Sequence, residues 1–216
     1  EACLALASKY QDRHLANRVF DLAWTHSGVM LRQINATAGD AQVYRRLAGP
    51  VLYAHAALRA DSGVIMRNQR GQSGLWGYAI SGDHPIVLLK IADAANIELA
   101  RQLIRCHAYW RLKGLVVDLV IWNEEYVGYR QRLQDQIIGL IATGAEAHAV
   151  DRPGGIFVRF AEQIASEDRL LLQAAARVII SESRGSLIEQ VNRRLLADKS
   201  VARLSPTRAH RPEPPA

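Results

Sequence analysis

The sequence predicts an α/β fold: a largely parallel sheet of about four strands, flanked by helices and preceded by a helical arm. Two observations support it. Apolar, β-branched runs alternate with segments of helical period. Those runs are apolar nearly throughout, as in strands that are covered on both faces. The same pattern divides the chain into a helical arm or linker over residues 1–68, a Rossmann-like α/β domain over 69–197 and a disordered Pro/Arg-rich linker over 198–216.

The predicted arm contains two helices. In the first, apolar residues recur at three- and four-residue steps, as on a core-facing helix: Leu15, Val19, Leu22, Ala23 and His26. Asp40 is expected to cap the second helix, and Gly49-Pro50 to kink or end it. Helices of this kind need a partner surface, which favours a connecting arm over a compact domain.

The predicted α/β domain alternates strands with helices. Its elements are a strand over 86–91, a helix over 97–112, a strand over 116–121, a helix from about 126 to 142, a strand over 156–160, a helix over 166–176, a strand over 177–180 and a helix over 185–196. Asn96 and Ser166 are the expected caps of two of these helices. The alternation implies right-handed crossovers between parallel strands.

Composition and charge narrow the class of protein. Apolar residues make up 49% and charged residues 22% of the 216 residues, which is typical of a globular protein. No apolar run approaches the roughly 18–20 residues of a membrane span. Half of the net charge of +6, and four of the seven prolines, lie from Lys199 onward, in the predicted linker. No basic face remains for nucleic acid. The first residues resemble the interior of a helix, so a longer parent protein is expected.

Cofactor and metal motifs are missing from the sequence. The segment Ala92–Asn96 after the first strand has no glycine, and neither GxGxxG nor GxxxxGK[ST] occurs. No two histidines fall within five residues of each other, so no local metal pair exists. Cys3 and Cys106 are too few for a disulfide framework, and Cys106 is expected to be a buried thiol. We therefore expect no cofactor and no metal, and these motifs assign no catalytic residue.

Two further features favour structural roles. Ser81-Gly82-Asp83 precedes a strand and is expected to form a tight turn. Asp118 lies within an apolar strand and should either be paired, with Lys113 or Arg111 as candidate partners, or lie at a sheet margin.

The candidate binding residues come from one strand end and from two aromatic residues, Trp76 and Tyr78, that precede the first strand. Parallel sheets bind ligands beyond the carboxyl ends of their strands, where Trp122-Asn123-Glu124-Glu125 is predicted to lie. An indole beside an amide and carboxylates suits a sugar. The structural alternative is that Trp122 packs on a neighbour while the two acids begin the next helix. The predicted carbohydrate-binding residues are Trp122, Asn123, Glu124, Trp76 and Tyr78.

Long blocks of the sequence resemble the central part of bacterial cyclic β-1,2-glucan synthases. They are QSGLWGYAISGDHPIVLLKI and LIRCHAYWRLKGLVVDLVIWNEE, with LANRVFDLAWTHSGVMLRQIN and YRRLAGPVLY upstream and GGIFVRFAEQIASEDRLLLQAAARVIISESRGSLIEQV downstream. The resemblance covers about nine tenths of the chain and fades in the proline-rich tail. Where the family usually has YGISGDLPI, this chain has Ala79 for the glycine and His84 for the leucine.

The resemblance implies a parent enzyme with its catalytic acid elsewhere. Such synthases look like inner-membrane proteins that join a glycosyltransferase using UDP-glucose to a part similar to cellobiose phosphorylase. The chain resembles the segment between two sugar-binding β-sandwiches, ahead of the (α/α)6 barrel that holds the general-acid aspartate. The expected partners are these flanking modules, with β-1,2-glucan as a further candidate. The expected location is the cytoplasmic face of the bacterial inner membrane.

Three functional hypotheses follow. The first is a non-catalytic structural or carbohydrate-binding module of such a synthase. The second is a glucosyl-transferase or glycoside-hydrolase domain whose acids lie at strand ends, such as Asp93, Glu124 and Glu125. The third is a plain spacer without a ligand.

Overall fold

The structure, a computed structural model, describes residues 2–11, 13–125 and 132–198. It confirms the α/β prediction, with a helical segment ahead of a parallel sheet. The helices are α1 (Ala2–Tyr10), α2 (Arg13–Gln33), α3 (Ala38–Tyr53), α4 (Ser62–Arg67), α5 (Ile97–Leu112), α6 (Arg132–Ala142), α7 (Ser166–Ala175) and α8 (Leu187–Asp198). The strands are β1 (Ile86–Ile91), β2 (Asp118–Asn123), β3 (Ile156–Phe160) and β4 (Val178–Ser181).

The four strands lie in the order β3-β2-β1-β4 and are all parallel. Right-handed crossovers along this order place α5 and α6 on one face of the sheet and α7 on the other. The buried side chains form two clusters that match these faces. The larger cluster contains residues from α3, α5, α6 and α8, and the smaller contains α7 and a 3-10 segment, Gln72–Tyr78.

Helix α3, although predicted within the arm, packs into the larger cluster. The Trp110 indole N–H donates to the Tyr44 carbonyl oxygen at 2.9 Å, and the rings of Tyr44 and Tyr109 have centroids 5.7 Å apart. Leu47 and Val51 are fully buried. The predicted domain boundary near residue 68 stays a prediction, with α3 contributing to the core on one side of it.

Helix α2 differs from the prediction of a core-facing helix. Leu22 is 60% exposed and Val19 is 47% exposed. The helix reaches the core only near its end, where Met30 and, just beyond it, Ile34 are buried. A periodic apolar stripe shows that a helix has a face to bury, but it does not specify what covers that face.

The helix ends depart from the predicted caps. Thr37, not Asp40, is the N-cap of α3, and the Asp40 N–H donates to Thr37 Oγ1 at 3.1 Å. Asp40 is the third residue of the helix, and its side chain accepts in return from the Thr37 N–H, which completes a capping box. Asn96 makes no capping bond from its side chain. Ser166 is the first residue of α7 rather than its cap. Pro50 lies inside α3, which ends at Tyr53.

Most other element bounds match the prediction. β1, α5 and β3 have the predicted limits, while β2 lies two residues later, at Asp118–Asn123. The start of the predicted helix from residue 126 and nearly all of the predicted linker over 198–216 lie outside the described residues.

Ala79 adopts the left-handed backbone conformation that glycine favours, with φ at 62°. It ends the Gln72–Tyr78 segment, and its N–H donates to the Leu75 and Trp76 carbonyl oxygens. We expect Ala79→Gly to raise the free energy of unfolding by about 0.5–1 kcal/mol, because removing Cβ relieves the left-handed penalty. Urea denaturation measures this change. Ala48→Gly, in the interior of α3, should instead lower it by about 1 kcal/mol.

Candidate functional site at the carboxyl edge of the sheet

Four side chains form a row across the carboxyl end of the sheet, hereafter the edge row. Strand register aligns Lys90 with Trp122 and with Ser181, and Trp122 with Arg159. Because side chains alternate along a strand, all four lie on the face that α7 covers. Open parallel sheets bind ligands at this edge, so the edge row marks the candidate site.

Trp122 lies beneath the surface of this edge. Its side chain is 2% exposed and belongs to the smaller core cluster. Lys90 Nζ lies 5.3 Å from the ring centroid, a cation–π contact. The indole N–H has no hydrogen-bond partner among the residues that the structure describes. Trp122 therefore contacts Lys90 from within the core. A contact between Trp122 and a sugar stays a prediction.

The two polar residues that follow Trp122 differ in exposure. Glu124 is partly exposed and pairs with Lys90, with 3.1 Å between Oε1 and Nζ. Asn123 is buried on the opposite face, where its Nδ2 donates to Gln134 Oε1 at 3.3 Å. Its Oδ1 accepts from the Glu125 N–H at 2.8 Å. Asn123 thus holds the connection after β2, whereas Glu124 is accessible to a ligand.

Tyr78 joins the edge row through Arg159. The Arg159 Nη2 donates to the Tyr78 carbonyl oxygen at 2.7 Å, and the Tyr78 hydroxyl donates to Asp168 Oδ2 at 2.9 Å. Burial and this hydrogen bond raise the pKa of Tyr78. Trp76, two residues earlier, is 63% exposed, and its indole N–H donates to the Ser81 carbonyl oxygen at 3.3 Å. Trp76 is the one predicted aromatic residue that offers an open ring face.

A cavity of about 460 Å³ lies beside Tyr78 and Arg159. Its other walls include Gly77, Asp151 and Gln163. Asp151 is half-exposed and pairs with Arg159 at 2.8 Å, while Gln163 is exposed. The cavity therefore offers carboxylate, amide and guanidinium groups within reach of one another.

Sequence reasoning missed Lys90 and Arg159. Each is the charged residue of an otherwise apolar strand, one position before the last residue. In parallel strands of matched register such positions become neighbours, so this repeated placement was a usable signal.

The other strand-end acids hold loops. Asp93 Oδ1 accepts from the Ala95 N–H at 2.8 Å, and Glu125 Oε2 from the Leu133 N–H at 3.2 Å. Glu182, after β4, accepts from the Asp93 N–H at 3.1 Å. It lies where the strand order reverses, the usual position of a bound phosphate. A carboxylate of the chain thus occupies that position.

The Ser81-Gly82-Asp83 turn is confirmed. Gly82 has φ at 78°, and Gln72 Nε2 donates to the Ser81 carbonyl oxygen at 2.8 Å and to Asp83 Oδ1 at 2.9 Å.

Asp118 is the first residue of β2 and lies at the opposite edge of the sheet, one of its two predicted placements, but the predicted partners are wrong. Its Oδ1 accepts from the Gly154 N–H at 2.7 Å instead of meeting Lys113 or Arg111. Burial raises the pKa of Asp118.

A buried ionic network, not predicted, also lies at that edge. His107 and Glu146 are each 1% exposed, and Nδ1 lies 2.8 Å from Glu146 Oε2. His107 Nε2 faces the carbonyl oxygens of Val117 and Gly154, so it carries a hydrogen. Arg111 lies 3.2 Å from Glu146 Oε1. Burial raises the pKa of Glu146, but the bond with His107 and the charges of His107 and Arg111 outweigh it, and the net pKa is lowered.

Three features bear on function class. Within residues 2–11, 13–125 and 132–198, no cluster of three or more histidine, cysteine or acidic side chains is arranged for a metal ion. In the same ranges, no helix is both long and apolar enough to cross a membrane. Cys106 is buried as predicted, and burial raises the pKa of its thiol.

Comparison with known proteins agrees with the resemblance inferred from sequence. No protein-family model matches the chain. Over 186 residues, 86% of its length, the chain is 30% identical to the cyclic beta-(1,2)-glucan synthase NdvB of Rhizobium meliloti (strain 1021). The aligned part spans 7% of that protein. The chain is therefore similar to a small segment of a much longer synthase.

Proposed function

We propose that this chain, similar over most of its length to a segment of a cyclic β-(1,2)-glucan synthase, is a non-catalytic structural or carbohydrate-binding module of such an enzyme. The observation that carries the proposal is 30% identity maintained over 86% of the chain. On this view the chain contributes to cyclic β-glucan synthesis without performing the transfer of glucose.

The carbohydrate contact is proposed at the cavity beside Tyr78. Arg159, Asp151 and Gln163 supply donors and acceptors for sugar hydroxyls there. Trp76 does not line this cavity but directly precedes Gly77, which does, and its exposed ring is the proposed stacking surface for a sugar that extends beyond the cavity. Glu124, exposed on the same edge, is a further proposed contact. Trp122 and Asn123 would act indirectly, by holding this edge in place.

The commitment of strand-end acids to loops supports a non-catalytic role. Asp93, Glu125 and Glu182 accept backbone N–H groups, and Glu124 pairs with Lys90. A glycosidic reaction needs one carboxyl group to donate a proton and a second to act as base or nucleophile. Carboxylates that already accept hydrogen bonds from the backbone are poorly placed to act as that proton donor, base or nucleophile.

Other modules of the same polypeptide are the proposed partners, namely the flanking β-sandwiches and the barrel, at the cytoplasmic face of the bacterial inner membrane. The exposed apolar side chains of α2 support an interaction with further protein. Phe20 is 73% exposed and Trp24 is 84% exposed. Large aromatic side chains at this exposure are typical of surfaces that become covered in an assembly.

Titrating the purified chain with β-1,2-linked glucan tests the proposal. We expect saturable binding by calorimetry, weakened at least about tenfold by Trp76→Ala, equivalent to about 1.4 kcal/mol. Trp24→Ala is the matched control, because Trp24 is also exposed but lies on α2. It should leave the affinity unchanged.

The same preparations are assayed for release or transfer of glucose. Turnover that Glu124→Gln abolishes would contradict the non-catalytic role and favour the enzyme hypothesis. If the chain shows neither binding nor turnover, the spacer hypothesis is favoured.

A further inference from the structure

A second cavity, of about 190 Å³, lies on the opposite face of the sheet from the edge row. It is bordered by the end of α2, one side of α5 and the end of α6, and it opens to solvent. Its residues differ from those of the cavity beside Tyr78, and its charged side chains point to a different ligand from the glucan proposed above.

One stripe of α5 forms the inner wall of this cavity. Arg101, Ile104, Arg105 and Ala108 line it, at the spacing that places residues on one helix face. The stripe thus brings two guanidinium groups, four residues apart, to the same opening. Like charges at this spacing repel each other on a helix, and a bound anion would relieve that repulsion.

Arg105 is half-buried, yet its side chain has no hydrogen bond or ion pair with any residue in the described ranges. Arg101 differs, because its Nε donates to Glu98 at 2.9 Å. A guanidinium presents five N–H donors in a planar fork that matches carboxylate and phosphate oxygens. None of the Arg105 nitrogens is among the fully buried side-chain atoms without a partner in the described residues, so the guanidinium reaches solvent and its donors are open to an anion.

The carboxylate nearest this cavity does not compensate Arg105. Glu146 contributes to the wall, but its two oxygens contact His107 and Arg111. Gln33 and Asn35 also line the cavity, and their side-chain amides can donate hydrogen bonds. The cavity therefore has an excess of positive charge and neutral donors around it.

We propose that this cavity is a binding site for a small anionic ligand bearing a phosphate or carboxylate group, with Arg105 as its anchor. Arg101 contributes a second positive charge, and Gln33 and Asn35 donate hydrogen bonds to the polar body of the ligand. The proposal is independent of glucan binding at the carboxyl edge.

Inorganic phosphate and acetate are the probes, titrated separately into the chain in a low-salt zwitterionic buffer. Amide NMR spectra should show saturable shifts confined to the cavity, including the backbone of Thr143 and Gly144. The probe that binds identifies phosphate or carboxylate as the recognised group. Added sodium chloride should weaken the affinity, because the interaction is between charges.

Arg105→Gln should weaken binding at least tenfold, while Arg105→Lys retains part of it. Asn35→Asp places a carboxylate in the cavity lining and should also weaken binding tenfold or more. Aspartate tolerates the backbone φ of 52° at this position. Arg67→Gln, on α4, is the control and should change nothing. If circular dichroism shows that Arg105→Gln does not fold, Arg105→Lys and Asn35→Asp decide the outcome. The proposal would be overturned if neither probe gave a saturable shift. It would also be overturned if the Arg105 and Asn35 variants bound the probe with the same affinity as the original protein.

Discussion

Gly155→Ala is expected to destabilise the folded protein severely. An alanine Cβ at this buried position would collide with the Ala149 carbonyl oxygen and lie 2.8 Å from that of Arg152. Both obstacles are backbone atoms, so no side chain can rotate away. The Gly155 carbonyl oxygen also accepts from the Leu119 N–H at 2.9 Å, which ties the loop to β2. We expect a loss of at least about 4 kcal/mol, at the extreme of single substitutions.

Urea denaturation followed by circular dichroism measures this loss, and recovery of soluble protein gives a first indication. The matched control is Gly139→Ala, at an exposed position inside α6 with open space around the new Cβ. It should stabilise the protein by about 0.5–1 kcal/mol, since alanine favours a helix over glycine. Native stability in Gly155→Ala would contradict the backbone collision.

Glu146→Ala should lower the free energy of unfolding by about 3–5 kcal/mol, the range for removing one partner of a buried ion pair. The substitution leaves His107 without its partner at Nδ1 and Arg111 without its carboxylate. Because His107 Nε2 bonds to the carbonyl oxygens of Val117 and Gly154, the loss also loosens the segments before β2 and β3.

The pH dependence of stability provides the check on Glu146. Its pKa is lowered in the folded state from the ordinary 4.5, so its contribution to stability is complete above pH 4.5 and is lost as the pH falls through the lower folded value. Glu146→Gln keeps the size and removes the charge. Unfolding free energies from pH 7 down to pH 3 should fall less steeply in this variant than in the original protein. An equal slope would show that Glu146 is not coupled to folding in this way.

The strands and helices were predictable where the apolar pattern has a single interpretation. The run IVLLKI is bounded by Pro85 and the polar segment after Ile91, so its limits are clear. The run before Trp122 is longer and admits more than one register. Pairing with β1 places β2 at Asp118–Asn123, a choice that depends on the neighbouring strand.

The candidate site was predictable in position but not in detail. Strand ends located Trp122 and Glu124 at the correct edge, because that rule depends only on strand direction. Whether Trp122 is a surface platform or a buried support depends on α7 and the Gln72–Tyr78 segment, which cover it from distant parts of the chain. The partners His107 and Glu146 are 39 residues apart, and no local spacing reveals such a pair.

The strand order has a consequence for how the chain acquires its structure. β1 lies at the centre of the sheet, yet one of its two neighbours, β4, follows about ninety residues later, where Val178 pairs with Val87. During synthesis, one edge of β1 therefore lacks its hydrogen-bonding partner until β4 has been made. Pairing between distant segments is slow because a long loop must close first. Among the described strands, β4 is made last, and it is the one that covers the second edge of β1.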